Sequence, residues 1–496
     1  MKLSQLLSAC VACATLVLGN GAKHHRARRD HTRQCGSKGI PQLPLASGGS
    51  VCLPDSELLP NRQRDVFDKH PAEGIWRTCQ NETGCDLPRG HAWTHTTPCF
   101  KNPRSDDRFC VFSDATFAEG RGTSFVTTAE RANFLASYPA FTHPDTIKGI
   151  NQDLVRTIPA VYEVKEFPGK GMGLVAKTHI RRGDLIMANT PSLMIDYRSF
   201  EELTKEEYLQ LQVHAVDYLP APHRSAVLNL STHDGAAGLP PTAVVEKIAS
   251  TNAFDIDPDT DDAEQDNGFY VVFPEIARMN HDCRPNADYR FSYQTLTQYI
   301  HATRPINPGE EITLSYINPI MRHEARVKKL KGTWGFQCAC DLCTRSRPRV
   351  EASDARIRQI KELTKELRSY KTESRANPQM AELLISLYEM EQLWGSMYEV
   401  YAYAALEYNG VGDAWTATKY ARLAVEYGIP VVGEHDNDVV QMGKLADDPW
   451  AHWSWMLRMK KREGWGSKKK PVEEEDEVEV DNDDDDDDDN DEDEDE

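Results

Sequence analysis

Between Cys110 and Cys283 the chain has no cysteine, although 12 occur in its 496 residues. That gap rules out one disulfide framework running through the whole protein and divides the cysteines into an early set and a late set. A second absence is a long apolar run: beyond Leu18 nothing approaches the roughly 20 apolar residues a membrane-spanning helix needs. A basic surplus is missing as well, so no direct nucleic-acid-reading face is expected. The formal charge of -21 is mostly local, because Glu473 to Glu496 holds 20 acidic residues and no basic one, leaving the remainder close to neutral. Such a run is a separable tail. Residues 471–496 cannot bury apolar surface and are expected to be disordered, a solubilising segment in the simplest reading.

What is present is enough apolar side chain, 40 %, to build real cores, and length enough for about three domains. Lys2, an apolar stretch from Leu3 to Leu18, and the small residues Gly19, Gly21 and Ala22 read as a secretory signal peptide over 1–22. A mitochondrial presequence or a different start site are the alternatives. Arg26-Ala27-Arg28-Arg29 is either a dibasic processing site or a solvated linker. Behind the signal come Cys35, Cys52, Cys79, Cys85, Cys99 and Cys110. An even, irregularly spaced set after a signal predicts a disulfide-stapled module whose connectivity the spacing does not reveal.

The organisation expected is a multidomain α+β protein. Residues 30–150, rich in Pro, Gly, Thr and Cys, predict a small loop-rich Cys-rich module; the scattered His91, His95 and His143 read as surface or packing residues. From about 160 to 317, short apolar runs punctuated by glycine predict a β-rich unit. It is split by a helical insertion over about 200–265, with helical pattern in Glu201 to Val216 and Ala243 to Ala253. Arg322 to Lys331 predicts a short basic helix. Residues 351–460 predict a helical C-terminal domain, with Ile357, Ile360, Leu363 and Leu367 at three- and four-residue steps. Met397 to Tyr408, a glycine turn at Gly410 to Gly412, and Ala414 to Tyr427 have the spacing of a tetratricopeptide unit or of ordinary helix pairing.

Three separated segments carry chemistry. In Gly169-Lys170-Gly171-Met172-Gly173 alternate glycines let the backbone turn tightly and approach a ligand. Arg278-Met279-Asn280-His281-Asp282-Cys283-Arg284-Pro285-Asn286 sets a polar Asn-His pair after an apolar strand. Gly309-Glu310-Glu311-Ile312-Thr313-Leu314-Ser315-Tyr316 is a turn feeding a strand that ends in tyrosine. Behind them follows Trp334-Gly335-Phe336-Gln337-Cys338-Ala339-Cys340-Asp341-Leu342-Cys343.

In this order the four motifs closely resemble the SET methyltransferase family, particularly its SET-and-MYND branch and related fungal SET proteins. The resemblance covers about 185 residues, over a third of the chain. It implies a β-rich SET fold and a protein-lysine N-methyltransferase that uses S-adenosylmethionine. By that resemblance Lys170, Gly171, Met172, Gly173, Asn280 and His281 hold the methionine and ribose parts of the cofactor, Phe336 stacks on the adenine, and Tyr316 is the catalytic phenol and part of the cofactor site. The cysteine-rich MYND insert of that branch is missing, since the helical insertion has no cysteine. Functions carried by that insert are therefore in doubt here.

The chemistry explains the residue types. Methyl transfer to an amine is an in-line displacement needing alignment, and the amine must first lose its proton. A lysine of pKa about 10.4 is neutral roughly once in 2,500 at pH 7. A dry channel and a nearby sulfonium both favour the neutral amine. Cys338, Cys340 and Cys343 supply three thiolates within six residues, and a structural zinc needs a fourth ligand, for which Cys283 is the natural candidate. Two disulfides are the competing reading. A zinc here ties the 333–346 segment across the Asn280-His281 motif.

The signal and early cysteines point to the secretory pathway or the exterior; a cofactor pocket with reduced thiolates points to the nucleus or cytosol. The partner expected is a protein with a target lysine, histones among the candidates. A SET fold that only binds peptides, and an acidic histone chaperone working through the tail, are the competing function classes.

Overall fold

The computed structural model describes residues 42–44, 50–52, 93–102, 107–151, 160–232, 235–256, 268–371 and 374–462. The expected signal at 1–22, the side chains of Cys35, Cys52, Cys79 and Cys85, and the tail 471–496 lie outside the described residues, as does most of the acidic loop after Asp255. Among the described residues no helix is long and apolar enough to cross a membrane.

The strands, in chain order, are β1 (Gln42–Pro44), β2 (Ser50–Cys52), β3 (Cys99–Lys101), β4 (Arg108–Asp114), β5 (Thr123–Thr128), β6 (Tyr162–Phe167), β7 (Gly171–Ala176), β8 (Leu185–Asn189), β9 (Leu193–Asp196), β10 (Ala253–Ile256), β11 (Phe269–Val272), β12 (Asn280–His281), β13 (Ala287–Ser292), β14 (Thr297–Ala302) and β15 (Glu311–Leu314). A six-stranded sheet has the order β10-β11-β9-β5-β4-β3; beside it lie a four-stranded sheet, β12-β15-β7-β6, and a three-stranded one, β13-β14-β8.

The inner strands β4 and β5 are buried on both faces, which explains why Phe109-Cys110-Val111-Phe112 reads as an unbroken apolar run without polar alternation. Because side chains alternate across a strand, successive residues enter different cores. Phe109, Val111, Val126, Leu193, Ile195 and Val272 face one core. Cys110, Phe112, Phe125, Met194 and Val271 face the other. The first is closed by the insertion, whose helix Lys205–Asp217 buries Leu209, Leu211, Ala215 and Val216, and whose helix Pro241–Asn252 buries Val245, Ile248 and Ala249. Thr204 and Glu207 form a reciprocal capping box that starts the former.

Two expectations change. The 30–150 stretch was expected to stand as its own module, yet β3, β4 and β5 share a sheet with β9, β11 and β10, and β5 pairs in parallel with β9 at Phe125 and Met194. A division at residue 150 cuts through that sheet. Local composition, rich in turn-forming residues, carries no signal of a strand partner seventy residues away. Cys99 and Cys110 form a disulfide inside the β3–β4 hairpin. Helical pattern through Ala253 gives way one residue early: Ala253–Ile256 pairs antiparallel with Phe269–Val272, and ladder pairing overrides local periodicity.

The C-terminal helices Arg347–Leu367, Pro378–Glu391, Met397–Gly410, Ala414–Val431 and Asn437–Asp447 pack sequentially on a separate core. Gly412, at φ +85°, makes the turn between the third and fourth of these. A buried ion pair joins this body to the rest. Arg284 Nη2 lies 2.6 Å from Glu391 Oε2, with side-chain exposures of 5 % and 1 %, and Glu391 also accepts from Ser353 Oγ and Arg356 Nε, each at 2.7 Å. Burial pushes the Glu391 carboxyl up, but Arg284, Ser353 and Arg356 outweigh it and hold it below the ordinary value. The stabilisation is therefore complete above the unfolded carboxyl pKa of about 4.3 and is lost as pH falls through the lower folded value. Glu391→Ala leaves Arg284 buried and unpaired, so urea melts at pH 7 should show a loss of about 3–5 kcal/mol. Arg284→Met combined with Glu391→Met should lose much less, because neither charge is then stranded.

Candidate active site

The turn between β6 and β7 places Gly169 and Gly171 at φ +75° and +78°, a backbone region that an L side chain rarely occupies. Gly173 is different. It has ordinary backbone angles, but an added Cβ would lie 2.6 Å from Asn280 Nδ2 and 2.8 Å from the Phe167 ring. Glycine is thus required by the close approach of β12 to β7. Gly173→Ala should cost about 1–3 kcal/mol from overpacking, read as a lower urea midpoint with unchanged m-value.

β12 is two residues long and pairs in parallel with β15, Asn280 against Thr313 and His281 against Leu314. Asn280 Nδ2 donates to Glu311 Oε1 at 2.9 Å, and Lys170 Nζ lies 2.6 Å from Glu311 Oε2. Glu311 therefore links the glycine turn to the Asn-His pair. Asn286, 1 % exposed, donates to Glu311 O at 2.8 Å and accepts from Thr313 N at 2.9 Å, locking β15 in register. Both residues escaped functional notice in the sequence; the signal was there only in that each repeats within a motif already marked.

The Tyr316 amide donates to His281 Nδ1 at 3.0 Å, which leaves the ring proton on Nε2, aimed at Cys283 Sγ 3.4 Å away. Burial pushes the imidazole pKa down to about 4, so the ring is neutral near pH 7. The strand expected to run to Tyr316 stops at Leu314, and this amide-to-imidazole bond takes over from the ladder. The Tyr316 hydroxyl donates to Met279 O at 2.6 Å. Burial, and secondarily the Glu311 charge, raise its pKa above the ordinary phenol range. It stays protonated, with that proton donated to Met279 O.

The late segment closes the site from another side. Helix His323–Trp334 ends at Gly335 with φ +73°, a left-handed cap that redirects the chain. Trp334 Nε1 donates to Thr251 O of the insertion at 3.3 Å. The Tyr316 ring lies 5.4 Å from Trp334, 6.4 Å edge-on to Phe336 and 5.3 Å from His281, centroid to centroid. Lys170, Gly171, Met172, Asn280, His281, Tyr316 and Phe336 all line one cavity of about 760 Å³. Gly173 stands just behind it, packed on Asn280. Phe254, Tyr270 and Tyr289, unmarked in the sequence, form a further aromatic wall.

Cys283, Cys338, Cys340 and Cys343 bring their four Sγ atoms within 4.8 Å of one another. Cys283 lies 3.6 Å from Cys343 and 4.0 Å from Cys338. These separations are far beyond the roughly 2.0 Å of a disulfide. They match the edge of about 3.8 Å of a tetrahedron with metal–sulfur bonds of about 2.3 Å. Sharing protons among four packed thiols sets them against one another: contact with Cys338 pushes Cys283 up, while contact with Cys283 pulls Cys340 down. A divalent cation bound by four thiolates removes that conflict, so the donor set fits a metal ion.

Residues 171–317 match the SET domain family. The chain carries a SET domain. Its relatives include the histone-lysine N-methyltransferase set5 of Schizosaccharomyces pombe, 32% identical over 209 residues, a match covering 40% of this chain and 56% of that one. The histone-lysine N-methyltransferase SET5 of Saccharomyces cerevisiae is 39% identical over 72 residues, 14% of each chain. The N-lysine methyltransferase SMYD2-A of Danio rerio is 36% identical over 104 residues, covering 21% of this chain and 22% of that one. The chain thus spans little more than half of the first relative's length and far less of the other two. Gly171 to Gly173, the Asn-His pair and Tyr316 fall inside the matched residues, Gly169 and Lys170 just precede them, and Phe336 and three of the four clustered cysteines follow them.

Proposed function

We propose that this chain is a protein-lysine N-methyltransferase that takes its methyl group from S-adenosylmethionine. The observation that carries the reading is the single cavity in which the glycine turn, Asn280, His281, Tyr316 and Phe336 meet. The cofactor, when bound, supplies an electrophilic methyl group on a sulfonium. The backbone at Lys170 to Gly173 and the side chain of Asn280 grip its methionine and ribose parts, and Phe336 packs on the adenine. His281 works indirectly: it holds the Tyr316 amide on one side and faces Cys283 on the other. Tyr316, its own proton committed to Met279 O, offers its oxygen to an N–H of the incoming amine and orients the nitrogen lone pair. A cavity walled by Phe254, Tyr270, Tyr289 and Trp334 excludes water and disfavours the charged ammonium.

The metal in the Cys283, Cys338, Cys340 and Cys343 cluster is read as one structural zinc, since four thiolates with no open position are its characteristic set. The substrate is a protein lysine, and the relatives named for histone-lysine methylation make histones the first substrates to test. The C-terminal helix pairs are read as a tetratricopeptide-like unit on the strength of the Gly412 turn, and the early cysteines as a stapled segment, supported by the Cys99–Cys110 pair. Routing into the secretory pathway rests on the apolar stretch within residues 1–22; the first residue of the mature protein, read by terminal sequencing, decides between that and a nuclear or cytosolic site.

Full-length protein incubated with methyl-labelled S-adenosylmethionine and a mixture of histones and other proteins should transfer label to lysine. Tight binding of S-adenosylhomocysteine with no transfer to any protein would instead make it a binding scaffold.

A further inference from the structure

Basic charge is concentrated in one stretch of the chain. Residues 322–371 carry 14 Lys and Arg against 6 Asp and Glu, whereas residues 378–462, the helices that follow, carry 7 against 12. Some of these cations have partners: Arg326 donates to Met321 O, and Arg356, Arg345 and Arg347 pair with Glu391, Asp341 and Glu351. Lys328, Lys331, Arg349, Arg358, Lys361 and Lys365 are exposed. Along helix Arg347–Leu367 the residues Arg358, Lys361 and Lys365 follow at steps of three and four, so they share one face. The exposed Glu362 interrupts that face. Another face of the same helix buries Ile357, Ile360 and Leu367.

The last described helix, Leu457–Arg462, is anchored at the C-terminal end of this basic helix. Arg458 Nη1 donates to Ser369 O at 3.2 Å, and its guanidinium lies 5.5 Å from the Tyr370 ring, which Trp453 meets edge-on at 5.3 Å. Ten residues, 463–472, separate that anchor from Glu473 to Glu496, with its 20 acidic residues and no basic one. Fully extended they span at most ~36 Å, while the 21-residue helix is ~32 Å long. Every cation on its exposed face is therefore within reach of the acidic run. Helix His323–Trp334 meets the same helix where His323 N donates to Asp354 Oδ1 at 2.8 Å. Its Lys331 stands two residues from Thr333, which lines the cavity.

We propose that the acidic run Glu473 to Glu496 binds in cis to the basic surface of helices Arg347–Leu367 and His323–Trp334, an electrostatic cover beside the cavity. Each exposed ion pair is weak and screened by salt. A tethered run, however, presents many carboxylates at an effective concentration of the order of millimolar. A basic protein segment competes for those carboxylates and a free polyanion for the cations, so either one uncovers the surface. Duplex nucleic acid and the acidic run of a second copy are the other polyanions that fit such a face, and tethering favours the chain's own. The proposal is independent of the methyltransferase reading.

The experiment is zero-length carbodiimide coupling of the full chain, which joins carboxylates to lysines in direct contact. Links are read by mass spectrometry on an equal mixture of light and heavy nitrogen-labelled protein, counted against those to the adjacent Lys468 to Lys470. At ~20 mM salt, links from residues 473–496 should concentrate on Lys361 and Lys365, with Lys328 and Lys331 next, and should fall at least about tenfold at ~500 mM salt. They should join residues of one isotope. Arg349→Glu combined with Arg358→Glu removes no lysine, yet should cut the Lys361 and Lys365 links at least about fivefold, as several pairs are lost together. An unchanged melting temperature checks that the variant folds, and Arg358→Gln alone, with a smaller cut in the same links, is the milder second variant. Links spread evenly over exposed lysines elsewhere, such as Lys165, Lys177 and Lys419, overturn the proposal, as do links at Lys361 and Lys365 that neither variant reduces. Mixed-isotope links assign the face to a second copy and overturn binding in cis. Wild type that forms no such links but binds duplex DNA, with Lys361 and Lys365 then protected from acylation, assigns the face to nucleic acid and overturns it as well.

Discussion

Cys340→Ser is expected to release the metal and with it the closing wall of the cavity. Wild type should carry one zinc per chain by elemental analysis, and the variant well below half of one. The reason is geometric. With four Sγ atoms inside 4.8 Å, each thiolate is a corner of a closed tetrahedron, and a serine oxygen is a poor replacement for soft sulfur at a structural zinc. Cys283 sits beside the Asn280-His281 pair, while the other three follow Phe336, so a metal bound by all four would hold the late segment over the cavity. Metal binding and folding of such segments are one free-energy change, of the order of 10 kcal/mol or more in isolated zinc modules. Local order around Trp334 and Phe336 should therefore be lost together with the ion. Quenching of tryptophan fluorescence by acrylamide should rise, and affinity for S-adenosylhomocysteine should fall at least a hundredfold. Chelator treatment of wild type should reproduce both effects, and zinc should reverse them. A metal-free wild type whose four cysteines resist alkylation until reduced would mean paired disulfides instead.

Tyr316→Phe should lower kcat by a factor of roughly a hundred to ten thousand, the range for loss of a positioned polar group in a transition state, while changing the affinity for S-adenosylhomocysteine less than threefold. The split follows from the contacts. The phenol ring packs on Trp334, Phe336 and His281, and phenylalanine keeps that packing. What disappears is the hydroxyl 2.6 Å from Met279 O, which holds the oxygen where an amine must be oriented. Single-turnover rates with saturating cofactor separate this effect from binding. A variant that transfers methyl groups at the wild-type rate would remove Tyr316 from the chemistry; one that also loses cofactor would assign it to the pocket wall.

Much of the site was visible before the fold. Glycine spacing, the Asn280-His281 pair and three cysteines within six residues are local patterns, and each implies its chemistry from residue type and interval alone. The pairing of Cys283 with the late cysteines was accessible because a metal's valence demands a fourth ligand. The roles of Glu311 and Asn286 were not legible in this way. A glutamate at a strand start or an asparagine after a proline is ordinary until its partners are known, and those partners come from different strands.

The linear chain therefore carried the ingredients: most of the strand and helix segments, where charge is confined, and the residue types suited to hold a cofactor or a metal. These follow from short-range physics, the period of apolar residues, the backbone freedom of glycine and the ligand preferences of thiolates. Only three-dimensional packing settled who meets whom. It joined β3, β4 and β5 to β9 in one sheet, paired Ala253–Ile256 as a strand with Phe269–Val272, and buried Arg284 against Glu391. Long-range pairing is determined by mutual burial and hydrogen-bond satisfaction among segments far apart in the chain, and no local window of residues contains that information.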